Sequence, residues 1–169
     1  MIDYIAHTPH ARPVLKWAGG KSRLLPELMQ RVPRAFTAYH EPFIGSGALF
    51  FRLMAHGHRG RAPLSDINPA LMDVYIGLRD QTDALIAALR DHERAHDQDY
   101  YYQIRALPPH SLSLVERAAR FIYLNKTCYN VLYRENRSGQ FNVPFGRYKN
   151  PTICDEPNLR AAARVLRQA

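Results

Sequence analysis

The chain has 169 residues, of which 46% are hydrophobic and 22% charged. This is the balance of an ordinary globular domain and not of a disordered or collagen-like chain. A chain of this length buries roughly 70% of the surface it exposes when unfolded, and its apolar runs fall far short of the ~20 residues a membrane span needs. The formal net charge is +8, from 23 Lys and Arg against 15 Asp and Glu.

Residues 13–21, PVLKWAGGK, form an apolar and basic segment ending in two glycines. Leu24, Leu25, Leu28, Met29 and Val32 recur at helical spacing, and Pro33 stops them. Residues 39–43 read as a short strand, followed at once by Gly45-Ser46-Gly47, and the next residues continue as a mostly apolar helix ending near Gly57. Residues 61–65 read as a second strand running into Asp66, and Asn68-Pro69 starts another helix through about Leu78. Strand, glycine turn, helix, strand and acidic residue together predict a βαβ unit. Helical patterns then fill residues 83–96, 99–106 and 113–125; in the last, Val115, Ala118, Ala119 and Ile122 share a face. Residues 131–136 and 140–145 are extended segments separated by Arg137-Ser138-Gly139, a pattern that predicts a hairpin. Residues 155–169 read as a final helix.

The charge is unevenly placed along these elements. Six basic against two acidic groups occupy residues 1–38, and five against one occupy residues 121–150. The stretch between them is nearly neutral, with nine against ten. The second basic block is interleaved with Tyr, Asn, Phe and Gly, which supplies cations for phosphates and rings for bases. A solvated basic face accounts for the charge equally well. The first residues lack a basic region followed by an apolar stretch, and Cys128 and Cys154 have no CxxC spacing. Reduced thiols in a cytoplasmic protein are therefore expected.

Three motifs bear on chemistry. Gly45 and Gly47 directly after a strand let a ligand approach the backbone, and Asp66, 19 residues beyond Gly47, suits the hydroxyls of a ribose. Phe50 stands where a dinucleotide fingerprint needs its third glycine, which favours a smaller nucleoside over a pyrophosphate. AGGKS ends like a phosphate loop, but Leu15 replaces its first glycine and the segment precedes the first clear strand. HERAH, residues 92–96, matches a zinc-protease helix, yet its surroundings, RDHERAHDQD, are polar on every side. A solvated helix face is expected there, without a metal. Residues 107–110, LPPH, are expected only to break a helix.

KWAGGK, EPFIGSGALFF, SDIN and LNKTCYNVLYRENRSGQFNVPFGRYKNP, in this order, resemble the Dam-type DNA adenine-N6 methyltransferases. The resemblance implies S-adenosylmethionine as cofactor, bound by Trp17, Lys21, Phe43, Gly45, Gly47 and Asp66. It implies double-stranded DNA as partner, contacted by Lys16, Tyr129, Asn130, Arg134, Asn136 and Pro144, with Arg134 reading a guanine edge. Val131 departs from the family's pattern, where glycine is common. The fold implied is α/β: an incomplete Rossmann-like S-adenosylmethionine-dependent methyltransferase fold with a helical and β-hairpin DNA-recognition insert. Residues 1–80 would form the cofactor-binding half, 81–150 the target-recognition region and 151–169 the start of the return to the catalytic sheet. The family's amino-group-activating side chains lie in a DPPY motif, and no [DNS]PP[YFW] occurs in these 169 residues. No catalytic residue is therefore assigned. The chain is expected to be the N-terminal part of a methyltransferase completed by a DPPY-bearing segment or separate chain, in a restriction-modification, repair or phage setting. A non-catalytic DNA-binding module is the alternative.

Overall fold

Four helix starts follow from a short polar side chain that closes the first turn, accepting an otherwise orphaned N–H. Asn68 accepts from the Leu71 N–H and is followed by Pro69. Asp97 accepts from Tyr100, and Asp155 from Asn158. Ser113 and Glu116 form a reciprocal capping box. The computed structural model describes residues 10–58 and 60–169; residues 1–9, read above for a secretory signal, and Arg59 lie outside them. The described helices are α1 (Leu25–Arg31), α2 (Ala48–Ala55), α3 (Pro69–Asp80), α4 (Thr82–Arg94), α5 (Gln98–Ala106), α6 (Leu114–Thr127) and α7 (Glu156–Leu166). Each matches a helical pattern read from the sequence. Among the described residues no helix is long and apolar enough to cross a membrane.

The two predicted strands pair in the parallel sense, with Ala38 opposite Arg61 and Glu41 opposite Leu64. The N–H groups of Tyr39, Glu41 and Ile44 donate to the carbonyls of Arg61, Pro63 and Ser65 at 2.8, 3.1 and 2.9 Å. The pairing consists of isolated bridges and not of continuous strands. Pro42 and Pro63 contribute here, since each removes a donor from its segment.

α6 is the centre of the core. Every residue from 118 to 125 is buried, and the helix packs on α3, α4 and α5. α7 closes over α2, α3 and α4. Two asparagines clamp the N-terminal segment to this frame. The carboxamide of buried Asn158 exchanges hydrogen bonds with both backbone groups of Arg12, at 3.0 and 3.1 Å. That of buried Asn125 does the same for Lys16, at 3.1 and 2.9 Å. Each carboxamide imitates a neighbouring strand for one residue, leaving both backbone groups satisfied.

The expectation of a solvated HERAH face holds for Glu93, Arg94 and Ala95, which are exposed, and is corrected for the two histidines. α4 ends at Arg94, so His96 lies in the turn beyond it and the helical spacing no longer describes the pair. His92 is half-buried and stacks on Tyr123 at 4.8 Å, with its Nδ1 2.7 Å from the Tyr100 hydroxyl. His96 Nδ1 lies 3.0 Å from the Tyr123 hydroxyl. Burial lowers the pKa of His92 to about 4 and lowers that of His96 as well. Both rings belong to an aromatic layer between α4, α5 and α6.

Candidate functional site

The parallel pair delivers Asp66 beside the turn that follows residue 41. One carboxylate oxygen of Asp66 accepts the Gly45 N–H and the other the Asn68 N–H, each at 3.0 Å. The Tyr75 hydroxyl, on α3, donates to the Gly45 carbonyl at 2.7 Å. Gly45 has φ +51°, and a Cβ there would lie 2.9 Å from Cδ1 of Trp17. Only glycine allows both the turn and so close an indole.

These groups border a cavity of about 280 Å³. Trp17, Lys21, Phe43, Gly45 and Asp66, predicted from the sequence, all line it, together with Glu41 and Ser46. Gly47 does not. It is buried behind the turn with φ +68°, where a Cβ would meet the Phe51 ring at 3.1 Å and the Tyr75 hydroxyl at 3.2 Å. Its place is the first position before α2.

The chemistry of the lining is specific. Each Asp66 oxygen holds one N–H and keeps lone-pair capacity for a further donor, such as a pair of vicinal hydroxyls. Glu41 is buried, and its Oε2 has no hydrogen-bond partner among the described residues. Burial pushes its carboxyl above the usual range, against the Tyr39 hydroxyl, the Lys21 ammonium and the Phe50 N–H. A buried acceptor of this kind calls for a cationic or N–H donor from a ligand. The Phe43 ring is 70% exposed and offers a flat apolar face. The cavity thus suits a nucleoside that carries an amino group.

The predicted hairpin forms next to this cavity. Cys128 lies opposite Phe145 and Glu135 opposite Phe141 in antiparallel sense. The Tyr129 N–H donates to the Pro144 carbonyl at 2.8 Å, bringing Tyr129, Asn130 and Pro144 together. Tyr129 is 59% exposed. Asn130 has φ +54° and Val131 φ +52°; asparagine tolerates this region, but a β-branched side chain is strained in it. Exposed Arg134 donates from Nε to the Asn142 carboxamide oxygen at 2.7 Å. Asn136 occupies the turn, where its Oδ1 accepts the N–H groups of Ser138 and Gln140 at 2.9 and 3.0 Å. Lys16 is exposed beside Trp17.

The helical layer braces the hairpin. The Tyr101 hydroxyl and Arg105 Nη1, both from α5, donate to the Val143 carbonyl at 2.9 and 3.1 Å. Buried Arg120 of α6 in turn donates to the carbonyls of Ile104 and Arg105 at 2.9 and 2.7 Å, closing the C-terminal end of α5. Sequence reasoning missed Glu41, Tyr75, Asn125 and Tyr133. For Glu41 a signal existed, an acid directly before the Pro-Phe of the glycine turn.

The chain belongs to the D12 class N6 adenine-specific DNA methyltransferase family, whose family model matches residues 17–169. It is similar to the type II methyltransferase M.MjaIII of Methanocaldococcus jannaschii, with 40% identity over 171 residues that cover 92% of this chain and 59% of that protein. It is also similar to the type II methyltransferase M1.LlaDCHI of Lactococcus lactis subsp. cremoris, with 40% identity over 92% of this chain and 55% of that protein. A DNA adenine methylase of Escherichia coli (strain K12) is 39% identical over 83% of this chain and 49% of that protein. The chain spans about half the length of the curated relatives it matches.

Proposed function

We propose that the chain is the cofactor- and DNA-binding portion of a site-specific adenine-N6 methyltransferase that acts on duplex DNA with S-adenosylmethionine as methyl donor. The observation that carries this reading is the cavity in which Trp17, Lys21, Phe43, Gly45 and Asp66 meet, with the hairpin residue Tyr133 packed at a tilt against its Trp17 wall. The methyl donor supplies an electrophilic methyl group on a sulfonium. Asp66 holds the ribose hydroxyls, and the buried Oε2 of Glu41, which has no hydrogen-bond partner among the described residues, takes the donor's ammonium. Lys21 neutralises its carboxylate. Trp17, Phe43 and the Gly45 backbone shape the apolar walls. A Rossmann-like arrangement of the parallel pair, with the hairpin as a DNA-recognition insert, is part of the same proposal.

On the DNA side, Lys16 offers a phosphate contact, and Tyr129 offers a face against which bases stack. Asn130 and Pro144 hold the local backbone. Arg134 reads a guanine edge, a contact worth about 1–3 kcal/mol of discrimination, with Asn136 fixing the turn beyond it. Adenine N6 is a weak nucleophile because its lone pair is conjugated into the ring, and the base must leave the duplex stack to be reached. The side chains that activate it belong to a DPPY-bearing segment outside these 169 residues, in the same or a separate chain.

The test joins two measurements. Equilibrium dialysis with labelled S-adenosylmethionine reads donor binding by the 169-residue chain. Mass spectrometry then looks for N6-methyladenine in duplex DNA after the DPPY-bearing segment of a D12-class relative is added. Donor binding together with methylation that requires the added segment is the expected result. DNA binding with no affinity for the donor would instead favour a non-catalytic DNA-binding module.

A further inference from the structure

Trp17 is the single tryptophan of the chain, and it stands between the two parts of the site. On one side its Cδ1 occupies the space that a Cβ on Gly45 would need. On the other it faces the Tyr133 ring, with centroids 5.0 Å apart and planes 33° from parallel. Tyr133 also stacks on Phe121 of α6 at 5.0 Å and contacts Phe141 of the opposite hairpin segment at 5.7 Å. Its hydroxyl bonds to the Glu135 carboxylate. Tyr133 directly precedes Arg134, whose carbonyl accepts the Asn142 N–H across the hairpin at 3.1 Å. A continuous packed path therefore runs from the glycine turn through one indole and one phenol into the hairpin. Neither ring can shift far without moving the other, because close-packed aromatic pairs have few alternative seats.

We infer that Tyr133 is a positioning residue that couples the two ligand sites: by holding Trp17 against Gly45, it makes the hairpin's placement and the shape of the nucleoside cavity interdependent. A duplex that fixes the hairpin thereby fixes the indole wall, and a nucleoside that selects one indole position selects the matching hairpin placement. Thermodynamic reciprocity requires the two effects to be equal in size. One aromatic pair supports a two- to tenfold mutual change in affinity. The inference rests on the functional reading above and deepens it, since that reading names the two ligands but no link between them.

The experiment uses the 169-residue chain, with Trp17 emission as its own reporter. S-adenosylhomocysteine, which binds without reacting, is titrated with and without a random-sequence duplex into wild type, Tyr133→Phe and Tyr133→Leu. Circular dichroism confirms that each variant is folded. Wild type and Tyr133→Phe are expected to bind the nucleoside two- to tenfold more tightly when duplex is present, and duplex alone is expected to shift Trp17 emission. In Tyr133→Leu both effects should vanish while each ligand still binds. Unchanged coupling in Tyr133→Leu, or binding of both ligands by wild type without mutual effect, overturns the inference alone. Wild type that binds neither ligand overturns the functional reading and this inference with it.

Discussion

Asp66 braces the glycine turn, and in the proposed reading the same carboxylate accepts ribose hydroxyls; substitutions separate the two roles. Its oxygens accept the Gly45 and Asn68 N–H groups at 3.0 Å each. Hydrogen bonds to charged acceptors contribute about 1.5–3 kcal/mol apiece, and the half-exposed position of Asp66 argues for the low end. Asp66→Ala should therefore cost about 3 kcal/mol of folding stability. Asp66→Asn keeps one acceptor oxygen and turns an amide N–H₂ toward the second N–H, so the loss should be about half that. Two further bonds to ribose hydroxyls, of similar strength, correspond to about a hundredfold in nucleoside affinity. Urea unfolding followed by circular dichroism reads the first quantity, and S-adenosylhomocysteine titration reads the second. If Asp66→Asn matched wild type in both, the assignment of Asp66 as brace and ribose acceptor would be wrong.

Val131, strained at φ +52°, should tolerate glycine unusually well: about 1–2 kcal/mol of left-handed strain offsets the entropy glycine loses on folding, and urea midpoints should show Val131→Gly no less stable than wild type. Lys16→Ala should lower the slope of log affinity for duplex against log salt by about one phosphate contact, whereas Arg134→Ala should leave that slope nearly unchanged and relax base discrimination by about 1–3 kcal/mol in competition binding. Because His92 titrates near 4 when folded and near its ordinary value when unfolded, the unfolded chain binds more protons in that interval. Stability is therefore full above about pH 6.5 and falls as pH drops toward 4. Urea midpoints across pH should show this fall, and His92→Gln should flatten it. Tyr75→Phe removes only the bond to the Gly45 carbonyl. It should cost about 1 kcal/mol of stability and weaken nucleoside binding.

How far each residue could be read from the sequence depended on the range of its partners. The Gly45 turn, the Asn68 and Ser113 caps and the Asn136 turn are fixed by neighbours a few positions away, and their residue types announce them. Asp66 was legible because strand, turn and helix lengths carry it to a predictable place. Tyr75 was not, since it reaches Gly45 across 30 residues from the face of an otherwise ordinary amphipathic helix. Asn125 reaches Lys16 across 109 residues, and nothing local distinguishes a clamping asparagine from a buried polar residue with another partner. The histidines of HERAH misled for the opposite reason: a polar string on paper places two rings against Tyr100 and Tyr123 once α4 stops at Arg94. Gly47 carried the glycine signal, yet its conformation serves the start of α2 and not the cavity wall.

A crystal structure of the chain with S-adenosylhomocysteine bound would test the account most directly. It should show the ribose hydroxyls on Asp66, the amino group on Glu41 and an apolar face of the ligand against Trp17 or Phe43. A ligand seated in another cavity, such as the one between Phe36 and His56, with Asp66 and Glu41 untouched, would contradict it.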